Sequence, residues 1–378
     1  MLVALLILLA ASDTVPPPFA AIFPGIAHSC ALTSDGQAWC WGLNQYGQVG
    51  TGSRTTGEGT EHAAVPVATT RRFRTLALGA LHTCGVTTDG TALCWGDNTD
   101  GRLGDGTRDN RLVPTQVKTG LRFVAMTSRR GTTCALTAEG AAWCWGLGDQ
   151  GQLGIGGRWE RRLRTSEPVA VAGPVRFTDI QFASNSACGV STDARIYCWG
   201  MLSFPTGKRW VQTSPWLASP DSGWTAVAVM DDSICGLLGT RIECWGANRD
   251  GEVGDGTYSR RKAFTAVEAD LEWTALSSGW RHVCALDAQR HAWCWGSNYA
   301  GQLGTGERPA SIGSRKLPAA VLMESALVSL AAAGGYTCGL DAKGVAYCWG
   351  DNGTSQLGGG DWRIGWRATP AAVRAQTP

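Results

Sequence analysis

Fourteen cysteines fall into seven pairs, and the second cysteine of every pair is followed by Trp-Gly. Cys30 goes with Cys40, Cys84 with Cys94, Cys134 with Cys144 and Cys188 with Cys198. Cys235 goes with Cys244, Cys284 with Cys294 and Cys338 with Cys348. Successive Cys-Trp steps lie 54, 50, 54, 46, 50 and 54 residues apart, with no cysteine left over. A period of this length describes a row of like supersecondary units rather than two or three unrelated domains.

Each unit reads as a β-hairpin. Eleven residues before its first cysteine stands a large apolar anchor: Phe19, Phe73, Phe123, Phe177, Trp224, Trp273 or Leu327. An apolar stretch, a tight turn and a second apolar stretch ending in Cys-Trp-Gly follow. Four of the turns carry Gly36, Gly90, Gly140 or Gly344 where a three-residue loop requires a left-handed residue. That register puts Cys30 opposite Cys40 and Leu32 opposite Ala38. Ala194 and Arg290 hold the glycine position in two other units, where backbone strain is expected. The fifth unit is one residue shorter, with a two-residue Gly239-Thr240 loop, and the register still sets Cys235 against Cys244. Opposed residues of an antiparallel pair have Cα atoms about 4.5–5.5 Å apart, within disulfide range. The spacing therefore predicts seven cross-strand disulfides, one per hairpin. Thiolates nine or ten residues apart in one hairpin supply only two ligands, so no metal site is expected.

Two further elements recur. A turn-rich signature follows Cys-Trp-Gly, as in Asn44–Gly50, Asn98–Gly104 and Asn298–Gly304. Its Asn and Gly mark turns, and its lone Val or Leu reads as a buried plug. The Asp97–Asp105 copy lacks the spacing of a calcium loop. A short Pro-to-Val strand comes next, as in Val65–Val67, Pro318–Val321 and Pro370–Val373.

The 33 basic and 31 acidic residues nearly cancel, and no basic stripe appears, which argues against nucleic-acid binding. Residues 2–11 form an apolar run of about ten residues, too short for a stable membrane span. It suits a signal-peptide core, although no Lys or Arg precedes it. Residues 1–12 are therefore expected to be a signal peptide and 13–18 a short linker. Together with the cysteines, this places the protein in a secreted or periplasmic setting.

The three recurring elements together resemble the repeats of the regulator of chromosome condensation family. The match is plain in Gly79–Val86, in Asp89–Gly96 and in Asn98–Gly104. The resemblance covers residues 19–373, leaving 374–378 as a tail. It implies an all-β, seven-bladed β-propeller. Members of that family bind diverse proteins. The founder exchanges guanine nucleotide on the GTPase Ran, and secreted bacterial members include a β-lactamase inhibitor. The cysteine pairs and apolar leader point to the secreted side. The first hairpin lacks a preceding Pro-to-Val strand and the last such strand lacks a following hairpin. The C-terminal strand is therefore expected to close the ring by joining the N-terminal hairpin.

No catalytic motif appears, no cofactor is expected, and the protein is read as a monomeric, non-catalytic scaffold for a protein partner. His28, His82 and His282 share one repeat slot, where packing is the expected role. Residues outside the repeat point to binding instead: Trp159, Trp210, Trp216, Trp280, Arg281, Trp362, Arg363, Trp366 and Arg367. Trp and Arg are enriched at binding hot spots. A nucleotide-exchange regulator and a carbohydrate-binding propeller are the alternatives.

Overall fold

In a computed structural model the chain is described over residues 13–55, 59–203, 208–307, 313–361 and 363–376. The expected signal peptide and Trp362 lie outside these residues. Seven four-stranded antiparallel blades follow one another along the chain, and no helix occurs among the described residues. Blade 1 comprises Phe19–Pro24, His28–Thr33, Ala38–Leu43 and Thr60–Pro66, from the axis outward. The first strand of each blade touches the first strand of the next, and Leu327–Ala333 of blade 7 returns to Phe19–Pro24. These seven inner strands surround a central bore.

The hairpin register is the one the turns dictate. Cys30 opposes Cys40, Leu32 opposes Ala38, and in the short unit Cys235 opposes Cys244 and Leu238 opposes Arg241. The other five hairpins repeat the opposition: Cys84 faces Cys94, Cys134 faces Cys144, Cys188 faces Cys198, Cys284 faces Cys294 and Cys338 faces Cys348. All seven pairs stand at disulfide distance, with Cα–Cα separations of 4.0–4.1 Å. That is closer than the expected range. The Thr33 amide donates to the Gln37 carbonyl, so the alternation of the ladder puts Cys30 and Cys40 at a non-hydrogen-bonded position, where the strands approach most closely. The anticipated left-handed residues are also present: φ is +82° at Gly36, +58° at Ala194 and +65° at Arg290.

The anchors join one blade to the next. Each anchor amide donates to a hairpin-turn carbonyl of the preceding blade, as in Phe73 to Gly36 (2.8 Å), Trp273 to Thr240 (2.9 Å) and Phe19 to Gly344 (2.8 Å). The Cys-Trp-Gly indoles add a second latch. Trp95 donates to Gln48 O, Trp145 to Arg102 O, Trp199 to Gln152 O, Trp295 to Glu252 O and Trp41 to Gln356 O, all at 2.9–3.0 Å. The acceptor in each case belongs to the turn signature of the blade before.

The closure differs in detail from expectation. Each Pro-containing strand is the outer strand of its own hairpin's blade. Trp366–Ala372 pairs with Ala346–Asp351 and stays in blade 7. The expected phase offset disappears because Phe19–Pro24 is a full inner strand ahead of the first hairpin. The C-terminal strand that joins the N-terminal blade is Ala375–Gln376, which lies parallel to the outer strand of blade 1. Asp13–Thr14 pairs with it in turn, so residues read as linker and tail meet on one edge.

Candidate functional site

In a four-stranded antiparallel blade, the turn between the first two strands and the loop between the last two emerge at the same end. Hydrogen bonds between neighbouring first turns confirm a common orientation: Ala80 N to Arg130 O (3.0 Å) and Trp280 N to Gly334 O (2.9 Å). One face of the ring thus carries all the first turns and all the third-to-outer loops. Trp159, Trp210, Trp280 and Trp366 belong to this face or to the strand ends that rise from it, whereas Trp216 lies deeper in its strand, opposite Cys198.

They do not form one group. Trp210 and Trp216 pack into the core between blades 4 and 5. Their rings lie 5.8 Å apart, and Trp216 lies 6.4 Å from Trp245. These two take the room left by the degenerate loop of blade 4, and they offer little surface. Trp159 is exposed on blade 3, its indole donating to Asp149 O at 2.8 Å. Trp280 and Trp366 are exposed on blades 6 and 7. Arg281 is paired with Asp250 at 3.2 Å, Arg363 is exposed, and Arg367 sits half-buried beside Trp366.

Blades 5 to 7 hold two exposed aromatics that the count of odd tryptophans overlooked. Tyr258 and Tyr299 are 51% and 65% exposed. They sit in or beside the turn signature, and a copy-by-copy comparison reveals them, since Thr99 and Gln150 stand near the slot of Tyr299. The loops bind these residues into a strip. Lys316 of blade 6 lies 5.9 Å over the Tyr258 ring of blade 5. Gly301, two residues after Tyr299, approaches Arg367 and Ala368 of blade 7 so closely that an added Cβ would lie 2.8 Å from Ala368 Cα. Lys262 and Lys316 are exposed here without an ion pair among the described residues. The outer-loop strip is aromatic and basic and spans three blades, while Trp280 stands apart from it in the first turn of blade 6.

The repeat-slot histidines are struts between blades. Nε2 of His28, His82 and His282 lies 2.7–2.9 Å from Oγ1 of Thr83, Thr133 and Thr337 in the next blade. Burial holds His28 and His282 down to about 3, and His82 is lowered for the same reason. Neutral, enclosed imidazoles of this kind are not general bases. No group of three or more potential metal ligands exists among the described residues.

The bore contributes two further charged groups. Asp179 faces it from blade 4 and bonds Gln181 Nε2 at 3.0 Å. Its carboxyl is pushed up to about 6 by removal from bulk water, with Gln181 opposing. Although part of its surface reaches the bore, protein surrounds it on every other side. Arg129 of blade 3 lines the same bore.

Comparison with known proteins agrees with this architecture. Models of the regulator of chromosome condensation (RCC1) repeat match residues 22–48, 73–102 and 273–302, and residues 89–136 and 139–190. The ultraviolet-B receptor UVR8 of Arabidopsis thaliana is 26% identical over 304 residues, 75% of this chain. The chain spans about half of that receptor, 54% of its length. Human WBSCR16 superposes with a TM-score of 0.78 at 17% identity, covering 89% of this chain and 93% of that one. Yeast RCC1 (Prp20), solved with Kap60 bound, gives 0.75 at 16% identity, covering 96% and 88%. Repeat, register and ring agree: the chain is a seven-bladed β-propeller in which RCC1 repeats are found in blades 1 to 4 and 6.

Proposed function

We propose that this protein is a non-catalytic docking propeller of an oxidising, extracytoplasmic compartment, which holds a protein partner on the loop face of blades 5 to 7. One observation carries the reading: Tyr258, Trp280, Tyr299 and Trp366 are all exposed, and all lie on three consecutive blades. Exposed aromatics grouped in this way are characteristic of interaction surfaces, whereas scattered ones need no explanation. The lysines outside ion pairs favour a partner with an acidic surface. The seven buried cysteine pairs support the oxidising compartment. Yeast RCC1, which shares the fold, is itself solved with Kap60 bound.

The test is affinity capture from the native medium with the oxidised protein, read by mass spectrometry. A genuine partner is retained by Trp159→Ala and lost by the double variant that combines Trp280→Ala with Trp366→Ala, at an unchanged melting temperature. Equal capture by the double variant would remove this face from consideration.

A further inference from the structure

Six residues after its anchor, each blade places one residue at or just past the end of its inner strand, and those of blades 1, 3 and 7 line the bore. The seven residues are Gly25, Gly79, Arg129, Ala183, Met230, Gly279 and Ala333. Six are small or apolar, and one is a guanidinium. The reason for glycine is steric in blades 2 and 6: a Cβ on Gly79 would lie 2.1 Å from the His82 ring, and one on Gly279 would lie 2.2 Å from the His282 ring. Blade 3 has Thr132 in place of the histidine, which leaves room for a side chain. Room alone does not call for a charge, since blade 5 fills the slot with Met230.

Arg129 is 8% exposed, and its Nε and Nη2 have no hydrogen-bond partner. No ion pair includes it among the described residues, and burial lowers its pKa. Its neighbour Arg130, by contrast, bonds Asn185 Oδ1 at 3.0 Å. The guanidinium reaches toward the axis: it interacts electrostatically with Asp231 of blade 5, Tyr336 of blade 7 and His282 of blade 6, which lie across the ring. The bore it enters encloses about 460 Å³, and its wall includes Thr75, Thr127, Gln181 and Ser277. That volume falls within the range of small-molecule sites. A buried charge without a hydrogen-bonded partner is costly, and a guanidinium presents a planar fork suited to oxyanions.

We propose that the bore is a binding site for a small molecule bearing a carboxylate or phosphate group, held by Arg129 at the loop-face mouth. Asp179 stands four residues nearer the opposite end in the repeat, about 13 Å along the strand direction, so the anionic group seats at the mouth rather than deeper. The site is separate from the aromatic strip and does not depend on it.

The experiment follows the melting temperature of the oxidised full chain against inorganic phosphate, and separately acetate, with chloride at matched ionic strength as reference. A saturable rise is expected with one or both oxyanions. It is expected to vanish in Arg129→Met, a residue the slot already accepts in blade 5, and to persist in Arg130→Gln. In oxyanion-free buffer Arg129→Met is expected to melt higher than the parent, because it removes an unpaired buried charge while keeping the aliphatic stem. No rise in the parent with either oxyanion, or an equal rise in Arg129→Met, overturns the proposal.

Discussion

The second-strand slot obeys a rule that spans two blades. His28, His82, His282 and Tyr336 each face a hydroxyl in the next blade: Thr83, Thr133, Thr337 and Ser29. The three blades with Thr132, Ser186 or Ser233 there are followed by Ala187, Ile234 and Val283 instead. A buried polar ring nitrogen needs a partner, so the two positions vary together. A pH prediction follows from the lowered histidines. The unfolded chain takes up protons below about pH 6.5 and the folded chain does not until about pH 3, so stability is fully present above 6.5 and lost as pH falls. Each histidine contributes a slope of about 1.4 kcal/mol per pH unit in that window. Asp179 and Glu252, raised by burial to about 6 and about 7, act in the opposite sense and lose stability as pH rises. Combining His28→Gln with His282→Gln should therefore flatten the fall of melting temperature between pH 6 and 4, and an unchanged slope would refute the assignment. At the hairpin turns, Ala194→Gly and Arg290→Gly should each stabilise by about 1 kcal/mol in thermal unfolding, because both parents hold φ near +60°. These turn residues were readable in advance, since a hairpin compares positions ten residues apart. The histidine partners were not, because Thr83 stands 55 residues from His28 and nothing local announces it.

The blade is the unit whose sequence speaks most directly. Register, cysteine pairing and the order of turn, plug and outer strand all follow from spacing within about fifty residues. Even the hairpin that lost a residue keeps Cys235 against Cys244, as Cys284 is kept against Cys294 in its full-length neighbour. Each disulfide closes a loop of ten residues at most, so removing one as a Cys→Ala pair should cost about 2–3 kcal/mol by chain entropy. Replacing Cys84 and Cys94 together by alanine, measured by denaturant unfolding, checks this, and a loss below about 1 kcal/mol would show that packing alone holds the blade. All fourteen sulfurs belong to residues with no exposed surface, so thiol titration of native protein in mild reductant should detect few thiols until the fold opens. What spacing could not separate was Trp216 from Trp280. Both break the repeat, yet one fills the gap beside Trp245 and the other stands in solvent. Burial of a residue that departs from the pattern depends on what its neighbours vacated, here the missing turn signature of blade 4. Arg129 was legible in principle, as one charged side chain in a slot of Gly, Ala and Met, but only after the slots were aligned beyond the cysteines.

For the whole molecule, the interface that closes the ring carries the same two bonds as the interface between blades 1 and 2. Phe19 donates to Gly344 as Phe73 donates to Gly36, and Trp41 reaches Gln356 as Trp95 reaches Gln48. The described chain ends as neighbouring strands, Asp13–Thr14 beside Ala375–Gln376. The position of the chain's ends is therefore incidental to the ring's mechanics. A short linker joining the two ends, with a new opening between the exposed Thr70 and Arg71, should give a circular permutant that keeps all seven disulfides and the same melting profile. Evolution could have cut this circle between any two blades.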